Sequence, residues 1–247
     1  MDSKRSIGQG GSRRNLDQIK ASFSTRFFNL EPNLGSSRIF LYEETNEADG
    51  ATDTFDSNYD LLELLGEGTV GSVWRCRHKT TLASAAVKVF RTRDSEILGN
   101  IKKEFKHLKN LKHKNVIEMK EMYINSKEGE VHLVMEFFDG KEMFSMLAEI
   151  GHYSEEVAGY LFRQLLEGIH YLHKSGVVHR DLKPNNILVS TDLRLKITDF
   201  NVAKFFDQYG DYNEMKKGNY EMNTYTGTIA FRAPEMFEKI GYTFAHQ

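Results

Sequence analysis

The chain has 247 residues, a formal net charge of −2, 40% hydrophobic and 28% charged residues. Such a chain holds one large domain or two small lobes. The near-neutral balance excludes a global basic field for nucleic acid, and no apolar run is long enough to span a bilayer. Cys76 is the only cysteine, so an internal disulfide is excluded and a reducing compartment is expected.

Residues 1–58 are rich in Ser, Asn, Gly, Arg and Asp, without sustained periodicity. Lys4, Arg5, Arg13, Arg14, Lys20 and Arg26 come first, and Glu43, Glu44, Glu47, Asp49, Asp53 and Asp56 follow. Such composition buries too little apolar area to offset ordering entropy, so a mostly disordered tail is expected. Two apolar clusters interrupt it, Phe27-Phe28 and Ile39-Phe40-Leu41-Tyr42. The plain reading is incidental apolar residues in a loose tail; the alternative is docking on a partner or on the domain itself. The N-terminus has no apolar signal core, and Asp2 does not fit N-myristoylation, so the expected location is cytoplasmic, with the nucleus as a second compartment.

From Tyr59 the pattern changes. Leu61–Leu65, a glycine turn and Val73–Arg77 predict strand-turn-strand, and Ala85–Phe90 predicts a third strand. Ile97, Ile101, Phe105, Leu108 and Leu111 recur at three- and four-residue steps and predict a helix over 96–112. Val131–Phe137 reads as an apolar strand. Ser154 is placed to cap a helix that carries Glu155 and Glu156 in its first turn. Its predicted apolar face is Ala158, Leu161, Phe162, Leu165, Ile169 and Leu172, and Gly176 ends it. Ile187–Val189 and the alternating Leu193, Leu195 and Ile197 predict a short hairpin.

Chemistry-bearing residues fall at three places. Gly66-Glu67-Gly68-Thr69-Val70-Gly71-Ser72-Val73 is a G-x-G-x-x-G-x-V string, in which backbone N–H groups close on phosphate oxygens. It lies between two strands, which argues against a dinucleotide-binding unit. Lys88, inside the apolar run Ala85–Phe90, needs a partner for its ammonium. Glu104 shares a helix face with Ile101 and Leu108 and is the expected partner. Finally, His179-Arg180-Asp181-Leu182-Lys183-Pro184-Asn185-Asn186 precedes a short strand and Ile197-Thr198-Asp199-Phe200-Asn201. Two acids, a lysine and an asparagine suit phosphoryl transfer: a base for a hydroxyl, a cation for phosphate, and oxygen ligands for a metal. Arg180, beside the base, calls for an anion, either a phosphate group or a nearby acid.

These ordered strings resemble the eukaryotic protein kinase family, and Lys183 resembles its serine/threonine branch. The resemblance covers 59–247 and implies an α+β, two-lobed fold. A small antiparallel-sheet lobe with one helix and the hinge would span 59–138. A mainly helical lobe, incomplete after the activation segment, would span 139–247. It implies Asp181 as catalytic base, Lys183 on the transferred phosphoryl group, and Asn186 and Asp199 as Mg2+ ligands. For ATP it implies Gly66, Glu67, Gly68, Gly71, Val73, Ala86 and Lys88, the last held by Glu104. It also implies Met135 as gatekeeper, the backbone of Glu136 and Phe138 on adenine, Glu142 on ribose, and Leu188. His179 and Phe200 are implied as packed spine residues. Thr224, with Thr226 second, falls where relatives carry an activating phosphothreonine that Arg180 would receive. Thr228 is expected against the catalytic loop.

Some positions depart from the family pattern. Val70 stands where relatives carry an aromatic residue, and Asn185 where basophilic relatives carry an acid. Asn201 replaces glycine; asparagine tolerates positive φ, so a stiffer loop with an intact metal site is expected. The chain ends at Gln247, before helices the family carries, which suggests a truncated product or an incomplete gene model. The text around 136–189 looks most like the calcium/calmodulin-dependent group, although no EF-hand string is present and nothing in this sequence supports calmodulin binding. The expected function is transfer of the ATP γ-phosphate to protein serine or threonine. A protein substrate and an upstream kinase are the implied partners, without nucleic acid or membrane. The rival is a non-catalytic kinase-like module that binds nucleotide or a partner.

Overall fold

In a computed structural model, residues 39–42, 54–68, 71–125, 128–205 and 227–234 are described, the first four by backbone alone. Phe27, Phe28, Val70, Thr224, Thr226 and Glu235 lie outside the described residues.

The first sheet contains β1 (Ile39–Tyr42), β2 (Tyr59–Gly68), β3 (Gly71–His78), β4 (Ser84–Arg91), β5 (Met119–Asn125) and β6 (Glu130–Glu136). Their order is β1-β5-β6-β4-β3-β2. Short connections make β2, β3 and β4 antiparallel neighbours, as hairpin geometry requires. The first strand runs parallel to β5, with Ile39 opposite Met122 and Tyr42 opposite Asn125. The Ile39–Tyr42 cluster thus docks on the domain itself and pairs a sheet edge that would otherwise offer bare backbone.

Each face of this sheet is covered by a helix. On the inner face lies α2 (Ser95–Leu108), whose Asp94 cap accepts from the N–H groups of Glu96 and Ile97. Ile97, Ile101, Phe105 and Leu108 bury its apolar stripe. The helix stops at Leu108 rather than 112; Leu111 reaches the core through a turn, its N–H donating to the Leu108 carbonyl. On the outer face a short helix, α1 (Phe55–Asn58), follows the Thr54 cap. Phe55 is 3% exposed, stacks on His132 at 4.5 Å and Tyr59 at 5.3 Å, and closes a core with Cys76, Ala85, Val87, Tyr123 and Val134. Residues 54–58, inside the segment expected to be tail, thus belong to the folded domain, because one aromatic ring has a prepared seat. Phe55→Ala is expected to cost about 3 kcal/mol of stability, read as a lower denaturant midpoint at unchanged m. Burial pushes the Cys76 thiol up to about 11, so it is inert as a nucleophile.

The second lobe begins with β7 (Lys141–Glu142), α3 (Met143–Ile150) and α4 (Glu155–Lys174). It continues through β8 (Val177–Val178), β9 (Ile187–Val189), β10 (Leu195–Ile197) and β11 (Lys204–Phe205). Sheets of order β10-β9-β7 and β11-β8 carry the functional loops. Ser154 caps α4 by accepting from the Val157 N–H, and Gly176, at φ 73°, follows its end. Leu161 and Leu172 face the core, but Phe162 is 58% exposed and Ala158 is exposed, so the buried stripe is narrower than expected. The stripe passes through Gly168, where a Cβ would lie 2.8 Å from Ile197 and 3.1 Å from the Asn115 carbonyl.

That close approach clasps the lobes together. The Ile197 N–H donates to Asn115, the Ile117 N–H donates to Ile197, and Asn115 Nδ2 donates to the Leu195 carbonyl. Lys196 Nζ adds an ion pair to Glu136 at 2.6 Å. The strand that leads into Asp199 is thereby fixed against the first lobe.

Candidate active site

The roof of the cleft follows from strand register. Val73 pairs with Lys88, Ala86 with Met135, and Lys88 with Leu133, so alternation puts all five on one face of the sheet. In the β2–β3 hairpin, Gly66 pairs with Val73, Glu67 with Ser72 and Gly68 with Gly71. Gly71, at φ 152°, admits no side chain: a Cβ would sit 2.2 Å from the Val89 carbonyl.

At the hinge, the Glu136 N–H donates to the Glu118 carbonyl at 2.9 Å, which leaves only its carbonyl for a ligand. The Phe138 carbonyl accepts from Gly140 at 3.0 Å. Leu188, partly buried on β9, pairs with Glu142 and with Lys196 across the floor. Glu142 Oε2 accepts from Asn185 Nδ2 at 3.0 Å, so it is tied to the catalytic loop.

The catalytic loop is held from both sides. His179 is fully buried, 5.0 Å from the Phe200 ring. Its Nε2 meets the Thr198 carbonyl at 2.9 Å and its Nδ1 accepts the Asp181 N–H at 3.3 Å. Those partners select the neutral tautomer protonated at Nε2, and burial keeps its pKa low. Arg180 Nε donates to the Val202 carbonyl at 2.6 Å. Arg180 and Asp199 adopt φ of 65° and 64°, a strained backbone of about 1–3 kcal/mol each that the surrounding contacts hold in place.

Asp181 is the centre of this network. Its Oδ1 accepts from Thr228 N at 2.7 Å and Thr228 Oγ1 at 2.9 Å; its Oδ2 faces Lys183 Nζ at 2.8 Å and Asn186 Nδ2 at 3.1 Å. Lys183 Nζ also donates to Thr228 Oγ1 at 2.7 Å. Burial alone would raise the Asp181 pKa, but hydrogen bonds from Lys183 and Thr228 outweigh it, so the carboxylate stays ionised. Thr228 reaches this position because Gly227, at φ 85°, lets the backbone pass: a Cβ there would lie 2.4 Å from the Arg180 carbonyl.

Asn186 and Asp199 are brought side by side by the Thr198 N–H, which donates to the Asn186 carbonyl at 3.0 Å. Asn186 spends Nδ2 on the carbonyl and carboxylate of Asp181, which leaves Oδ1 as an acceptor. Asp199 uses Oδ1 on Lys88 at 3.0 Å and has Oδ2 to offer. Two oxygen donors suit a hard dication whose other ligands are phosphate oxygens and water. Among the described residues no cluster of three His, Cys, Asp or Glu side chains could hold a metal by itself.

A profile of the protein kinase domain matches residues 59–246. The chain belongs to the protein kinase family. It is 34% identical over 187 residues to CBL-interacting protein kinase 15 of Oryza sativa subsp. japonica, covering 74% of this chain and 41% of that protein. It is 35% identical over 194 residues to human calcium/calmodulin-dependent protein kinase type IV, covering 77% and 38%. Human cyclin-dependent kinase-like 5 is 36% identical over 186 residues, covering 73% and 18%. The chain thus spans less than half the length of these relatives. Its two-lobed α+β fold is the one expected. Similar identities to differently named kinases single out no subgroup.

One expected contact of the kinase is not formed. Lys88 is not joined to Glu104; its Nζ donates to Asp199 Oδ1 at 3.0 Å and Asn201 Oδ1 at 2.9 Å. Glu104 pairs with no described residue. Burial pushes its carboxyl up to about 8, against the opposing pull of the Arg180 charge. Sequence reasoning placed the residue on the right helix face but not the lysine's choice of partner, which depends on conformation. A second difference concerns Asn201, whose φ is not positive; the left-handed residue of this loop is Asp199. The special backbone tolerance of asparagine is therefore not what this position uses.

A pH dependence follows from Glu104. Its folded pKa is raised above the ordinary 4.5, so the folded state holds the proton more tightly than the unfolded chain. That contribution is complete below about 4.5 and is lost as pH rises through about 8. Melting curves across this window are expected to show a steeper loss of stability in the parent than in Glu104→Gln.

Proposed function

We propose that this kinase domain transfers the γ-phosphate of Mg-ATP to serine or threonine hydroxyls of a protein substrate. The observation that carries the reading is the Asp181 network. An ionised carboxylate, a lysine and a threonine hydroxyl meet within hydrogen-bond distance, beside two metal-type oxygen donors.

The residue roles follow from chemistry. Asp181 orients the incoming hydroxyl and takes its proton. Lys183, anchored on Asp181 and Thr228, offsets charge on the phosphoryl group in flight. Lys88 holds the α- and β-phosphates. Val73, Ala86, Met135 and Leu188 enclose the adenine, the carbonyl of Glu136 and the backbone of Phe138 meet its edge, and Glu142 meets the ribose. Asn186 and Asp199 would hold Mg2+, which when bound neutralises charge on the β- and γ-phosphates. Arg180 receives a phosphate placed on Thr224 or Thr226 by an upstream kinase. The Lys204 ammonium, whose pKa is lowered by burial and by the charge of Arg180, makes that neighbourhood favourable to an anion.

One observation favours the rival reading of a nucleotide-binding module: Lys88 is engaged by Asp199 and Asn201 while Glu104 stands apart. Incubation with γ-labelled Mg-ATP and a mixed protein substrate separates the two. Label on phosphoserine or phosphothreonine supports the kinase. ATP-dependent thermal stabilisation without label supports the module.

A further inference from the structure

Glycine at position 201 would give Lys88 nothing to hold; asparagine gives it an amide oxygen. Lys88 Nζ lies 2.9 Å from Asn201 Oδ1 and 3.0 Å from Asp199 Oδ1, so two of its three donors are committed on the same side. The lysine side chain is only 16% exposed, and its hydrogen bonds are shielded from water there. Glu104 on α2, the partner expected for this lysine, is paired by no described residue and feels the charge of Arg180. Asn201 is not in a left-handed conformation, so the backbone does not require this residue type. What the side chain visibly contributes is its bond to Lys88.

We propose that Asn201 is a positioning residue that latches Lys88 beside Asp199 and competes with Glu104 for it. The amide is a neutral acceptor. It strengthens the hold on the lysine without adding a second negative charge beside Asp199. Lys88 then has two homes: one on Asp199 and Asn201, the other on Glu104 with the lysine free to meet phosphate. The latch populates the first, and ATP must draw the lysine away. Apparent nucleotide affinity falls in proportion to the population held back. The inference rests on the nucleotide reading of the site.

The test uses the full 247-residue chain, a non-hydrolysable ATP analogue and magnesium, with binding read by titration. Asn201→Ala is expected to bind about 3- to 10-fold more tightly, the range one hydrogen bond supplies. Asn201→Gly is expected to match it. Glu104→Ala is expected to weaken binding several-fold in the parent, because it removes the other home of Lys88, and unchanged binding overturns the competition. Equal or weaker binding by both Asn201 variants overturns the latch. A gain in Asn201→Gly alone assigns the effect to the backbone and also overturns it. If no variant binds the analogue, the nucleotide reading fails, and amine acylation of Lys88 still judges the latch. Lys88 is then expected to react several-fold faster in Asn201→Ala, and equal rates count against the proposal.

Discussion

Asp181→Asn is expected to lower phosphoryl transfer by about two to four orders of magnitude, the range a positioned general base supplies. The substitution keeps the shape of the side chain. Its carbonyl oxygen can still accept from Thr228, which sits 2.7 Å and 2.9 Å from Asp181 Oδ1 through N and Oγ1. What it removes is the negative charge facing Lys183 at 2.8 Å and the site that takes the hydroxyl proton. Nucleotide binding is expected to stay within about threefold, because Lys88, Asn186 and Asp199 keep their places. Single-turnover transfer beside equilibrium titration checks both halves. Loss of binding in step with transfer would assign Asp181 to the ATP seat instead.

Gly227→Ala is expected to reduce transfer about 100-fold by displacing the same acid. Its Cβ would enter at 2.4 Å from the Arg180 carbonyl and 3.3 Å from Asp181 Oδ1, and its φ of 85° strains any side chain. Relief moves Thr228, and with it two of the hydrogen bonds that orient Asp181. Nucleotide affinity is expected to change less than about threefold, since the atoms an added Cβ would meet belong to Arg180 and Asp181. A wild-type rate in Gly227→Ala would mean that Thr228 is not needed to hold the base.

Much of this site was legible in the sequence because its chemistry sits in short contiguous strings. The loop from His179 to Asn186 and the segment around Asp199 are close in sequence, and one hairpin, β9–β10, brings them together. Lys88 was legible for a different reason: a cation within an apolar strand must have a partner. Which partner it takes was not legible, since Glu104, Asp199 and Asn201 are all within its repertoire and the choice depends on how α2 and the Asp199 loop sit. Gly227 carried no signal of its own; its importance is a close approach to the Arg180 carbonyl, which lies far from it in sequence.

The fold was readable where periodicity is regular. Residues 119–125 hid because a register shift between Met119 and Glu121 breaks the two-residue alternation of β5. Residues 143–150 hid because α3 has no side-chain cap and buries none of its residues fully. Phe55 hid because a helix of four residues has no period to detect.

The central claim is that Lys88 and the distant pair Asn186 and Asp199 serve one metal-bound triphosphate. Titration of ATP with and without magnesium, in the parent and in Asp199→Asn, tests it most directly. The parent is expected to bind at least about 10-fold more tightly with magnesium, and Asp199→Asn to lose that dependence. ATP binding that ignores magnesium in both proteins would contradict the account.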